Sequence, residues 1–225
     1  MIDSRLKKEL VVPSANISLI TEKQLVPEDA IGIRGYLAGK FPEETLFHNH
    51  APGGLIYSYP RVQYKILNGY ACIICLAEGI AVTEKIQSIT NVKLGNDFLK
   101  VIRINLESNE SKIGISKSEQ FYSFIAPWLG LNEDNYRKYL SSHKRERKIL
   151  LERILIGNII SLCKGLGFTV PGDIIAKAQL EEVPAILKGN RMLGFIGNFS
   201  VNFQIPNLWG LGKSVSRGFG TIIKI

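Results

Sequence analysis

Phe47-His48-Asn49-His50 places two of the chain's three histidines one residue apart. Imidazole titrates near neutrality, so two of them can serve one reaction that needs both a base and an acid. Tyr57 follows seven residues after His50, and Lys65 stands a little further on, within an alternating stretch. Both can donate to an anionic oxygen. Two histidines could also bind zinc, but no Cys, Asp or Glu cluster completes a set at recognisable spacing. The bland alternative is a pair of solvated loop residues. His143 sits beside a charge run and reads as a surface residue.

A second string lies at the C-terminus. Gly210, Gly212, Gly218 and Gly220 bracket Lys213, Ser214, Ser216 and Arg217. Glycines let backbone approach a phosphate closely, while the lysine, arginine and hydroxyls supply charge and donors. The string suggests a clamp for a nucleic-acid backbone; a plain surface hairpin is the competing reading. Gly212-Lys213-Ser214 imitates the end of a nucleotide-binding P-loop. That motif needs a glycine where Asn207 stands and a helix where Thr221-Ile222-Ile223 reads as strand, so ATP or GTP binding is rejected. Lys188 and Arg191, around Gly189-Asn190, extend the basic set.

Bulk properties agree with a polyanionic partner without choosing one. The formal charge is +8, from 28 basic and 20 acidic residues. With 45% hydrophobic residues among 225, the chain can bury a sizeable core, as one large domain or two small ones. The most apolar stretch, Ile149 to Cys163, is interrupted by Glu152, Arg153, Asn158 and Ser161, so no membrane span is expected. The N-terminus lacks the apolar run of a secretory signal. Three cysteines, an odd and sparse count, point to a reducing cytoplasm. Cys72 and Cys75 lie three apart in an apolar strand, facing opposite sides, and read as buried thiols.

The positioning elements follow from periodicity. Asn16–Thr21 alternates as a strand, and Pro27–Lys40 reads as a helix with Glu28 and Asp29 in its first turn. Phe41–Pro60 is a long Pro/Gly-rich loop, a length that often marks function. Arg61–Ile66, the Asn68-Gly69 turn and Tyr70–Ala77 form a hairpin. Ala81–Ile89 is a short helix and Phe98–Leu106 a fourth strand. This is the ferredoxin-like order, shared by several RNA-binding modules. In the second half a helical pattern opens at Asn132-Glu133-Asp134 and runs, with a break, to Gly165. Its run Lys144–Lys148 reads by default as a solvated face, with RNA contact the minority reading. Phe199–Ile205 alternates strongly as a strand. A boundary near Asn109–Lys117 divides residues 1–110 from 111–225.

Together the histidine loop, the Gly-x-Gly-x5-Gly-x-Gly string and the ferredoxin-like half resemble the CRISPR-associated endoribonucleases that process precursor CRISPR RNA, within the repeat-associated (RAMP) superfamily. Tyr57-Ser58-Tyr59-Pro60-Arg61-Val62-Gln63-Tyr64-Lys65 is similar to the segment that follows the histidines in the b-type branch. The resemblance implies an α+β chain: a ferredoxin-like N-terminal domain, then a second, modified ferredoxin-like domain with a long helix. It implies RNA cleavage without metal or other cofactor, by attack of a ribose 2′-hydroxyl on its own phosphate, leaving a 2′,3′-cyclic phosphate and a 5′-hydroxyl. His50 takes the main proton-transfer role with His48, and Tyr57 and Lys65 assist at the nucleophile or phosphate. Lys188, Arg191, Lys213, Ser214, Ser216 and Arg217 hold RNA. Implied partners are CRISPR repeat RNA, a second copy of the chain and other CRISPR effector subunits. The rival readings are a non-catalytic RNA-binding subunit of the same superfamily and an unrelated ferredoxin-like protein that binds a metabolite.

Overall fold

The computed structural model describes residues 8–47, 50–51, 54–55 and 59–225, with only the backbone pairing given for 50–51 and 54–55. The chain divides into two compact units. One is built on Val12–Ser111 and takes in Val215–Gly218; the other comprises the described residues up to Val11, Lys112–Ser214 and Phe219–Ile225.

In the first unit, β1 (Glu9–Thr21) leads to helix α1 (Asp29–Lys40). A 3-10 turn at Thr45–Phe47 and a small hairpin of β2 (His50–Ala51) and β3 (Gly54–Leu55) occupy the stretch expected to be loop. Then come β4 (Val62–Leu67) and β5 (Tyr70–Leu76), joined at Asn68-Gly69. Both turn residues take positive φ, 51° and 81°, as the tight hairpin requires. A 3-10 turn (Ala77–Val82) runs into α2 (Thr83–Gln87), then β6 (Asn91–Leu94) and β7 (Asp97–Trp128). The strand order β4-β5-β1-β7, with β4–β5 and β5–β1 antiparallel, is the ferredoxin-like arrangement. Ile17, Leu19, Val62, Tyr64, Ile73 and Cys75 point from the sheet onto Ile33 and Leu37 of α1 and Val82 and Ile86, forming one buried core.

The second unit repeats the plan with one substitution. The last part of β7 is followed by α3 (Glu133–Ser141) and α4 (Lys144–Gly165), then β8 (Ala176–Leu187) and β9 (Asn190–Gln204), and finally β10 (Ile222–Lys224). Asn132 caps α3, its Oδ1 accepting from the Asn135 amide at 2.8 Å. The expected break falls at Ser142-His143. The Glu146 carboxylate closes the start of α4 by accepting from the His143 amide at 3.1 Å. Leu151, Leu155, Ile159 and Leu162 form the buried stripe of α4. Strand β7 is flanked by β10 and β9, and β9 by β8, so the order is β10-β7-β9-β8, again ferredoxin-like. Where the plan calls for a second helix, between β9 and β10, the chain has the glycine-bearing segment instead, whose single 3-10 turn at Val215–Arg217 belongs to the first unit. The α+β expectation of two ferredoxin-like domains, the second modified and carrying a long helix, therefore holds.

Several elements differ from the sequence expectation. Strands β6 and β8 have no counterpart in it, and β9 starts at Asn190 rather than near Phe199. Strand β7 does not stop at Leu106 but continues through Asn109–Lys117 for a total of 32 residues. The stretch 41–60 is partly ordered as the 3-10 turn and the β2–β3 hairpin rather than loop throughout. No helix among the described residues is long and apolar enough to cross a membrane.

Candidate active site

The site is best built from Tyr64, which sits at the middle of β4 and is 1% exposed. Its hydroxyl donates to the Phe47 carbonyl at 3.5 Å, and burial raises the phenol far above its ordinary range, so it stays a donor. Phe47 is itself buried, its ring 5.6 Å from that of Phe41. The residue immediately before His48 is thus pinned into the core. His48 and Tyr57 lie outside the described residues. Of His50 only the backbone is placed, paired with Leu55 in the β2–β3 hairpin.

The backbone of the same tyrosine meets the other motif. A Cβ added to Gly218 would stand 3.0 Å from the Tyr64 carbonyl oxygen, 3.8 Å from the Lys65 Cα and 3.8 Å from the Ala30 Cβ. Gly218 also takes φ +91°, which a larger residue adopts only under strain. The tip of the glycine segment, Val215–Gly218, is in this way laid against β4 and α1. Ala30 and Arg34 share a face of α1 one turn apart. Arg34 and Arg217 are both half-buried. Burial and then the charge of Arg217 both work against the charged form of Arg34, while Tyr64 favours it. Two guanidinium groups are brought together beside the tyrosine. Sequence reasoning singled out Arg217 but missed Arg34, because an arginine in Gly32-Ile33-Arg34-Gly35 carries no local mark; only the packing of Gly218 on Ala30 reveals it.

Lys65 lies beside Gln63 on the polar face of β4, as the alternation implies. That face is polar in composition yet covered: Lys65 is 2% exposed and Gln63 is fully buried. The Lys65 Nζ donates to Gln63 Oε1 at 3.0 Å. Burial lowers its pKa from the ordinary 10.5 to about 7, against a smaller opposing pull from Cys72. Cys72 and Cys75 are buried, free thiols, pushed up by burial to about 11 and about 12.

The rest of the glycine string belongs to the second unit, and its glycines serve packing. A Cβ on Gly212 would come 2.7 Å from Trp128 Nε1, and one on Gly130 would come 2.5 Å from the same indole. Trp128 is fully buried and donates from Nε1 to Asn158 Oδ1 at 2.9 Å. A Cβ on Gly220 would collide with the Leu211 carbonyl oxygen. The amides of Leu211, Lys213 and Gly220 donate to the carbonyls of Gly220, Leu129 and Pro127, at 2.9, 3.0 and 2.9 Å. Those amides are therefore engaged within the protein. Lys213 is exposed, and Ser214, at φ +60°, and Ser216 are half-buried. Lys188 and Arg191 are exposed at the β8–β9 turn, where Lys188 and Gly189 take φ of 52° and 79°.

Comparison with known proteins follows the same two-part division. Residues 11–112 match the family model of the Cas6b N-terminal domain, and residues 114–225 that of the Cas6b C-terminal domain. A crystal structure of Cas6b superimposes with a TM-score of 0.90 at 34% identity, covering 96% of this chain and all of the other. A second, described as the CRISPR RNA processing endoribonuclease Cas6b, gives 0.78 at 32% identity with the same coverage. An uncharacterised protein of Methanocaldococcus jannaschii is 38% identical over 143 residues, which are 63% of this chain and 97% of that one. A Cas6-related protein from Pyrococcus furiosus shares the fold at 14% identity, with a TM-score of 0.56. With both halves matched in order and nearly end to end, this chain belongs to the Cas6b family.

Proposed function

We propose that this chain cuts CRISPR repeat RNA without a metal ion, using the histidine loop for chemistry and the glycine segment to hold the RNA. As a Cas6b protein it is a CRISPR RNA processing endoribonuclease; the finer reading concerns how its residues act. The 2′-hydroxyl on the 5′ side of the cut loses its proton to a base and attacks the adjacent phosphorus. The bond to the 5′-oxygen breaks, and that oxygen takes a proton from an acid. The products are a 2′,3′-cyclic phosphate and a 5′-hydroxyl. His50 carries the main proton transfer, with His48 as its partner and Tyr57 at the nucleophile or phosphate. Lys65 enters as a buried charge beneath the site, not as a contact. Lys213 and Arg217, assisted by Ser214 and Ser216 and extended by Lys188 and Arg191, contact the backbone. Arg34 joins Arg217.

What supports this reading most is Tyr64. One residue holds the carbonyl next to His48 through its hydroxyl and seats Gly218, beside Arg217, against its own carbonyl. Phe47 and the glycine segment are therefore registered to the same strand. Cleavage of repeat RNA in excess chelator tests it. Cutting at one site with a cyclic-phosphate end supports the reading; binding without cutting would replace it with a non-catalytic RNA-binding role. A homodimer belongs to the same reading, and light scattering with and without RNA measures it.

A further inference from the structure

We infer that the groove between α4 and β8 binds a single-stranded stretch of the RNA, a site distinct in its residues from the glycine segment. The inference rests on the RNA-processing reading above.

The groove encloses about 930 Å³, at the upper end of the range of small-molecule clefts, so it has room for a nucleotide or more. One wall is the start of α4, with Lys144, Arg145, Arg147 and Lys148; the other is β8, with Glu181 and Glu182. The floor is apolar, from the buried Leu151, Ala178 and Tyr139.

The charges do not cancel. The Glu182 carboxylate accepts from the Tyr139 hydroxyl at 2.7 Å and lies 3.5 Å from Arg147. Lys148 stands 3.9 Å from Glu152, whose carboxylate also accepts the Ala178 amide at 3.0 Å. Lys144 and Arg145 are exposed and have no acidic partner among the described residues. Arg147 lies over the Tyr139 ring at 4.7 Å, so its guanidinium is fixed in the wall before any ligand arrives.

Lys144 and Arg145, set against the carboxylate of Glu181, the one unpaired among the described residues of the groove, and beside an apolar floor, leave the groove net positive and fit phosphates on one side and sugar or base on the other. A plain solvated helix face would carry the cations without the cavity. A protein segment adding as a strand fits less well, since the outward amide of Ala178 is already taken by Glu152.

The experiment uses the full chain and a labelled single-stranded repeat RNA carrying 4-thiouridine. Affinity is measured between about 50 and 300 mM salt for wild type, Lys144→Glu/Arg145→Glu and Lys213→Glu/Arg217→Glu. Melting curves confirm that each variant is folded; Lys144→Gln/Arg145→Gln replaces a charge reversal that is not. The groove variant is expected to lose about tenfold or more in affinity and to show a salt slope shallower by about one to two. Cross-linked peptides are expected from residues 139–151 or 178–182. Wild-type affinity and slope in the groove variant, with the glycine-segment variant weakened, would overturn the groove and leave the RNA reading standing. Failure of wild type to bind RNA would overturn both. Loss of poly-glutamate binding with RNA binding intact would assign the groove to an acidic protein segment instead.

Discussion

Tyr64 works at both ends, and single substitutions can separate its roles. Tyr64→Phe keeps the ring and the carbonyl against Gly218 but removes the hydrogen bond to Phe47. It should cost about 1 kcal/mol of stability and lower the cleavage rate more than RNA affinity, measured by single-turnover kinetics beside equilibrium binding. Arg34 and Arg217 should act as one unit. Arg34→Ala and Arg217→Ala are each expected to weaken repeat RNA binding, and the double variant should lose less than the sum, because each charge already opposes the other. Full additivity would separate them. Lys65 gives a pH signature. Unfolded, it holds its proton to about 10.4; folded, burial releases the proton near 7. Between those values the unfolded chain binds the extra proton, so stability rises with pH, and below about 7 the full cost of burying the charge is present. Lys65→Met should therefore stabilise the protein at pH 6 and do so progressively less toward pH 9, by denaturant titration. The histidines and tyrosine of the loop stand out as candidates in the sequence because their types and spacing are distinctive; Arg34 does not, since its partners come from a segment far along the chain.

At the scale of elements, the glycine string takes the place of the second helix of a ferredoxin-like plan. Its sequence invited the idea of free amides around a phosphate. In the structure the glycines instead clear room for Trp128, for the Leu211 carbonyl and for Tyr64, and the amides of Leu211, Lys213 and Gly220 are already bonded. Gly212→Ala should thus cost about 1–3 kcal/mol, through positive φ and collision with Trp128, seen as a lower melting temperature. The helices and the β4–β5 hairpin were legible from first-turn residues, turn chemistry and alternation, down to the break before α4. Strand β8 was not: Glu181-Glu182 breaks the alternation and Pro184 argues against a strand, yet the strand persists because it pairs only with β9 along Ala176–Leu187. The continuation of β7 was hidden for a related reason. Residues 105–110 are exposed on both faces, so neither alternation nor an apolar run marks them.

Across the whole molecule, two ferredoxin-like units carry a formal charge of +8, and each contributes a different resource. The unit on Val12–Ser111 holds the loop of the two histidines, with Tyr64 and Arg34. The other supplies Lys213, the β8–β9 turn and the groove along α4. The two-domain plan could be read only in its first half, where the strand and helix order is regular; in the second, replacement of a helix by the glycine segment obscured it. If histidines, with a nucleophile supplied by the RNA, do the cutting, the products and rates of repeat RNA cleavage by wild type and His50→Ala in excess chelator will show it. Wild type should cut at one bond and leave a 2′,3′-cyclic phosphate end, and His50→Ala should lose about 10²-fold or more in rate with RNA binding retained. Wild-type rates in His50→Ala, or cutting that stops in chelator and returns with a divalent ion, would contradict this.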